Sequence, residues 1–573
     1  MMKSFSKLMF AALLATGFWA CSDEVDVPDN GGTETTDKVY MSFDLQLPTA
    51  TRSATDDPSQ DDNGDTNSDA NPDSEEGSDA ENAVSSAVVV LATLENEKYT
   101  YFAESTGSTL ISGAGTNYTV TFKSDALLSK AGETVYVFVF CNYPSNFDFT
   151  KIFTENEAST ALTDDKLEDA GGIAHAKNFW MSNAAITSAT LPSETDLLKY
   201  NSSTNPCSLG TVKVERAAAR FDYRPYGVAD NGNKTNKYTL EKDANDEPTV
   251  QVELTDIALV NLSKSFYHLR RVAGQKANTT DPLYDDTNVT ICGAEASNNF
   301  VVDTDASSKM SSTGSDNFLY HFDAEDDAEV VNYGSLWKSL STTTLSSLTT
   351  DDNWEDTDSN NSKIDGFKVW RYATENTLPS VNSQTKSQST GIIFRGVLND
   401  LKTASDNRLS GDKAYVFGNV LYGTWAQVQS KVNAIADTET DASLLDMKAA
   451  YKSVAATITT GQTEPTLANA ALYGFTVYEK DSEDNKFYTY YFYKNRHNDN
   501  GNANSMGIME FAVVRNNVYK LTVESISLFG HPADPEGDPT PDNPDDPDEE
   551  KKVYFRVAVQ VLPWVVRVND IEF

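Results

Sequence analysis

Most of this chain reads in steps of two. In KVYMSFDLQL, residues 38–47, the apolar Val39, Met41, Phe43, Leu45 and Leu47 alternate with Tyr40, Ser42, Asp44 and Gln46. Successive side chains of an extended strand point to opposite faces, so this pattern makes a half-buried strand and cannot serve a helix of period 3.6. The rhythm recurs in VSSAVVVLATL (84–94), KYTYFA (98–103), NYTVTF (117–122), QVELTDIALVNL (251–262), GIIFRGVL (391–398), KFYTYYFYK (486–494) and FAVVRNNVYKLTVESISL (511–528). TVYVFVF (134–140) is apolar on both faces and predicts a central strand. Short alternating runs bounded by Gly, Asn, Asp and Pro predict an all-β sandwich.

VKVERAAARFDY (212–223) reads as one further strand, with Val212, Val214, Arg216, Ala218 and Arg220 on one face and small alanines for close packing. Two stretches break the rhythm. Residues 155–185 predict helix or loop, with Thr163 as an N-cap. After Thr424, a second N-cap, Trp425, Val428, Val432 and Ile435 fall at helical spacing, and Leu444, Met447, Tyr451, Val454 and Ile458 repeat it. Those two stripes predict a packed helical hairpin over 424–459.

The formal charge is −41 over 573 residues, which argues against nucleic acid because phosphate binding needs clustered Lys and Arg. Two tracts hold 20 acids and no base: 11 within 53–82 and 9 within the proline-rich 532–550. Neither has the ligand spacing and central glycine of a calcium loop, and both predict disordered segments. The five histidines, His175, His268, His321, His497 and His531, lack metal-ligand spacing, and no nucleophile elbow or phosphate loop is present. No cofactor, no metal and no enzymatic activity are expected. Cys141, Cys207 and Cys292 form no CxxC pair and are expected as buried free thiols.

At the start, Lys3 and Lys7 precede an uncharged run from Leu8 to Ala20, too short to span a bilayer and shaped like a secretory signal. Cys21 after Ala20 resembles the lipidated cysteine of a bacterial lipobox, with Phe18 in place of the preferred Leu. Ser22, Asp23 and Glu24 resemble the surface-export signal of Bacteroidota lipoproteins. A further basic residue stands out: between Lys38 and Lys98 the sole Lys or Arg is Arg52, after Pro48 and in a run of small residues. An Arg-specific protease would find a single address, with Ser53 as the new N-terminus.

The alternating strand 39–47 lies on the anchor side of Arg52, so a cut there detaches it. Losing five large apolar side chains costs the remaining groove on the order of 10 kcal/mol of burial, beside its unpaired backbone groups. A replacement strand is therefore required. The segment KKVYFRVAVQVLPWVVRVNDIEF, residues 551–573, comes after the acidic linker and offers two candidate runs. Val553, Phe555, Val557, Val559 and Val561 alternate before Pro563; Trp564, Val566, Val568, Ile571 and Phe573 come after it. Pro563 is expected to break the ladder between them. Donation to a second copy would be head-to-tail and would propagate a filament.

FAVVRNNVYKLTVESI, the acidic proline linker and VQVLPWVVRVNDIEF resemble the ends of type V pilins, the fimbrillin family of Bacteroidota, closest to the shaft subunit of the minor-type fimbriae. RHNDNG (496–501) and VERAAARFDY (214–223) fit the same family. The resemblance implies two tandem transthyretin-like Greek-key β-sandwich domains with a helical insertion in the second. The layout becomes a lipoprotein signal peptide (1–21), a propeptide with a removable strand (22–52), a disordered acidic segment (53–82) and domains at 83–210 and 211–531. A linker (532–550) and C-terminal strands (551–573) complete it. It further implies lipidation at Cys21, cleavage between Arg52 and Ser53, and polymerisation by donor-strand exchange from the C-terminal segment. The partners would be other copies of the chain, fimbrial anchor and tip subunits, the protease and a surface receptor. The place would be a fimbrium on the cell surface, with the precursor lipid-anchored to the outer membrane. Two alternatives stay open: a lipid-anchored surface glycan-binding β-sandwich that is never cut, and a fimbrial tip or anchor subunit.

Overall fold

The computed structural model describes residues 39–47, 75–105, 109–114, 117–153, 159–161, 172–175, 178–228, 235–277, 279–293, 298–304, 318–319, 337–340, 367–385, 388–498, 500, 502, 505–532 and 555–565; of 75–76, 114, 117, 159–161, 368, 385 and 555–565 only the backbone is described. Strands dominate. A nine-stranded sheet runs in the order Lys98–Glu104, Ala87–Glu95, Thr134–Cys141, Met181–Asn183, Cys207–Arg216, Tyr40–Gln46, Asn117–Lys123, Leu110–Ala114, with Thr187–Thr190 also on Thr134–Cys141. The doubly apolar Thr134–Cys141 is an interior strand, as its composition requires.

A second sheet orders Glu75–Glu76, Phe555–Val565, Asn517–Ile526, Ala219–Arg224 and Lys368–Ala373. A third orders Lys237–Lys242, Pro248–Val260, Gly391–Asp400 and Tyr488–Lys494. One hydrophobic cluster runs from Val39 through Val212 and Phe221 to Leu521, so the first sheet and the later ones share a core. The result is an all-β sandwich architecture with a helical insertion.

Three local expectations change. VKVERAAARFDY is not one strand: Cys207–Arg216 ends in the first sheet and Ala219–Arg224 begins in the second, where it runs parallel to Asn517–Ile526. Ala217 and Ala218, both fully buried, make the step between the sheets, and only small side chains fit where two sheets approach. Within 155–185, Ser159–Ala161 and Met181–Asn183 are strands, because each finds a partner distant in sequence; Thr163 lies outside the described residues. The acidic tract read as disordered over 53–82 is ordered from residue 75, where it forms a short strand and a capped helical turn.

The helical hairpin is present as Trp425–Asn433 and Ala442–Ala455. The Thr424 side chain accepts a hydrogen bond from the Gln427 amide at 3.2 Å, capping the first helix. Trp425, Val428, Val432, Met447 and Val454 pack with Phe475 and with Tyr415 and Val477 of a three-stranded sheet into a separate small core. Apolar residues in step with 3.6 thus bury one stripe, as their spacing dictates.

Burial pushes the phenols of Tyr143, Tyr223 and Tyr491 well above the ordinary tyrosine range. The folded state keeps protons that the unfolded chain gives up above about pH 10, so their contribution is complete below that pH and is lost as pH rises through it. We expect the urea midpoint to hold from pH 8 to 9.5 and to fall steeply between 10 and 11.5. A flat profile across that range would contradict the burial of these rings.

Candidate functional site

Tyr40–Gln46 is held on both sides. It runs parallel to Cys207–Arg216, with Met41 opposite Cys207 and Leu45 opposite Val212, and antiparallel to Asn117–Lys123, with Phe43 opposite Val120. Its register against Cys207–Arg216 slips between Ser42 and Asp44, across from Gly210 at φ +86°, a left-handed backbone that glycine adopts without strain. Val39, Met41, Phe43, Leu45 and Leu47 are each no more than 1% exposed, while Asp44 is exposed. The Tyr40 amide donates to the Tyr200 carbonyl at 2.8 Å, and the Ser124 amide donates to the Val39 carbonyl at 3.3 Å, fixing the entry to the strand. Lifting out these nine residues would bare the edges of two strands and an apolar slot. One side chain of the slot is Phe122, whose ring centre lies 6.2 Å from that of Phe43.

Cys207 sits beside Met41 in that slot, whereas Cys141 pairs with Ala87 and Met181 and Cys292 is enclosed elsewhere. All three are buried free thiols. We expect a chain from which residues 39–47 have been removed to react with a thiol reagent at Cys207 far faster than at Cys141 or Cys292, and to lose that reactivity once the slot is refilled. Peptide mapping of the labelled protein reads this directly; equal protection of Cys207 with and without the strand would contradict the pairing.

At the other end of the chain, Phe555–Val565 lies antiparallel on Asn517–Ile526 in a register from Ile526 opposite Phe555 to Asn517 opposite Pro563. The expected break at Pro563 does not occur, and the strand runs through it. Among the described residues this strand has a neighbour on one side alone over most of its length, the other carrying the two-residue strand Glu75–Glu76, paired with Trp564 and Val565. An edge position is where a residue without an N–H fits a ladder.

A buried ion cluster joins Cys207–Arg216 of the first sheet to Ala219–Arg224 of the second. Ser78 caps the short helix Asp79–Asn82, and the Ser78 amide donates to the Glu81 carboxylate at 2.7 Å, a capping box. Glu81, 2% exposed, also accepts from Arg220 at 3.2 Å and from the Tyr372 hydroxyl at 2.7 Å. Arg220 forks onto Asp222 at 2.9 and 2.8 Å. Arg216 donates to the Glu81 carbonyl at 3.1 Å, to Asn516 at 3.3 Å and to the Asn82 side-chain oxygen. Burial pulls the Arg216 guanidinium down to about 10, which leaves it charged at neutral pH. This is why 75–82 is ordered: its buried acid finds a cation in the core instead of water.

Of the residues singled out in the sequence, the five of the first strand are brought together in one slot. Cys21, Arg52, Ser53, Val553, Val566, Val568, Ile571 and Phe573 lie outside the described residues. Phe555, Val557, Val559, Val561 and Trp564 belong to the strand on Asn517–Ile526. Sequence reasoning missed the grouping of Glu81, Arg216, Arg220, Asp222 and Tyr372. The available signal was the charge inside an alanine-rich strand, since Arg216 and Arg220 cannot be buried without partners.

Residues 485–570 match the family model described as "Major fimbrial subunit protein type IV, Fimbrillin, C-terminal". No curated protein matches the chain. Among solved structures, the chain is similar to a putative cell adhesion protein from Parabacteroides distasonis ATCC 8503 at 12% identity, 93% of this chain, 98% of that one and a TM-score of 0.35. It is likewise similar to a fimbrilin from Porphyromonas gingivalis W83 at 13% identity, 93% and 100% coverage and a TM-score of 0.35. The tip fimbrial protein Mfa3 from Porphyromonas gingivalis, with a C-terminal truncation, gives 11% identity, 92% and 100% coverage and a TM-score of 0.29. With TM-scores this low, these stand as likenesses alone.

Proposed function

We propose that this chain, whose C-terminal region is that of a fimbrillin, is a structural subunit of the shaft of a surface fimbrium. In this reading it is exported as a lipoprotein through Cys21, cut between Arg52 and Ser53, and polymerised when the C-terminal segment of one copy enters the slot left by residues 39–47 of the next. The supporting observation is the slot itself: a strand buried between two others, with five inward apolar side chains, stands ahead of the sole basic residue in the stretch 39–97. Val553, Phe555, Val557, Val559 and Val561 repeat its count and its period. Strand addition supplies backbone hydrogen bonds along both edges and alternate side chains for the apolar floor. The role is mechanical, and no catalytic step is assigned.

A glycan-binding role would call for exposed, coplanar rings on one face. Trp337 and Tyr490 are half-buried and tilted by 45°, and the Arg395 guanidinium stacks on both Trp337 and Tyr488. That cluster offers no flat, exposed pair of rings for a sugar to stack on.

Limited trypsin digestion of the non-lipidated chain, with N-terminal sequencing and electron microscopy, tests the proposal. The expected product begins at Ser53 and forms filaments, and deletion of 553–573 abolishes them. Cut protein that stays monomeric would overturn it.

A further inference from the structure

The C-terminal strand has a second neighbour whose hold is out of proportion to its size. Glu75–Glu76 pairs in parallel with Trp564 and Val565, on the edge opposite Asn517–Ile526. Two residues of ladder cannot by themselves offset the entropy of ordering a chain. The six residues after them hold them in place. Gly77 accepts a bond from the Asn82 side chain at 2.7 Å, Ser78 opens the capping box, and Glu81 is gripped by Arg220 and Tyr372 in the core. The root draws on both large sheets, because Arg216 belongs to the first and Arg220 to the second.

The position of this contact matters as much as its anchoring. Phe555–Val565 is connected to Asn517–Ile526 through the acidic linker at its Phe555 end, so leaving that sheet means swinging out from the Val565 end. Glu75–Glu76 covers that end. The same two residues belong to the acidic stretch that begins at the proposed cleavage site, so one segment stands between the cut and the strand to be donated.

We infer that Glu75–Asn82 is a strap that keeps the C-terminal strand on its own subunit, an autoinhibitory contact that opens before the strand serves a second copy of this chain. The purpose of the strap rests on the strand-exchange reading; the contact does not. In the uncut chain the strap is tethered upstream to the first strand and downstream to the ion cluster, and a cut after Arg52 removes the first tether.

Hydrogen–deuterium exchange of the full chain, uncut, compared with Glu75→Pro and Glu76→Pro, tests this. Proline takes the donor out of the short ladder and leaves the ion cluster in place. Unchanged exchange in Thr134–Cys141 and Trp425–Asn433 reports that the variants fold. The expected result is exchange faster by roughly tenfold or more across 517–526 and 555–565, with the remainder unchanged. Exchange within about twofold of the parent in both folded variants overturns the strap. Accelerated exchange in a chain that forms no filaments after cutting would leave the strap standing and remove the shaft reading; filaments with unaltered exchange would do the reverse.

Discussion

Replacing Phe43 with alanine is expected to lower the unfolding free energy of the uncut chain by about 3–5 kcal/mol. Phe43 is 1% exposed and packs against Phe122 across a paired strand, so truncation leaves a cavity that neighbours fixed by two ladders cannot fill. The same loss weakens the grip on residues 39–47 after a cut at Arg52, when no peptide bond retains them. At about 1.4 kcal/mol per factor of ten, the fragment should leave faster by two to four powers of ten. Urea unfolding measures the first effect, and the time course of fragment release on a sizing column measures the second. A loss below about 1 kcal/mol would mean that the first strand is an ornament of the sheet and not one of its structural members.

Arg220→Ala should cost a comparable amount, about 3–5 kcal/mol, through electrostatics instead of packing. Its guanidinium is fully buried against Glu81 and Asp222, and removing it takes the paired cation away from two buried carboxylates. Tyr372→Phe removes one hydrogen bond to a charged oxygen and should cost about 1.5–3 kcal/mol. The two losses should not add, because both act on Glu81. Denaturant titration of the two single variants and the double variant reads this. Full additivity would show that Glu81 is not the shared centre.

Legibility in the sequence tracked distance along the chain. The period of Tyr40–Gln46 and the helical spacing after Thr424 are local properties, and each predicts its own element and buried face. What lies beside an element is not local. Cys207–Arg216, the parallel neighbour of Tyr40–Gln46, begins more than 150 residues later, and nothing in either segment names the other. Pro563 reads as a breaker when counted alone, yet it lies within the strand, opposite Asn517. Glu81 reads as solvated acid by composition and is buried because Arg220 and Tyr372 arrive from distant strands to pair with it.

Short alternating strands, one helical hairpin and matching apolar rhythms at the two ends are legible in the residues alone. Periodicity records which face of an element is dry. That the first strand is an interior one, that VERAAARFDY steps between two sheets, and that Glu75–Glu76 pairs with the C-terminal strand emerge when distant segments pair. Pairing partners and buried charges depend on backbone edges and counter-ions that meet only when the chain has folded, and no window of neighbouring residues contains that information.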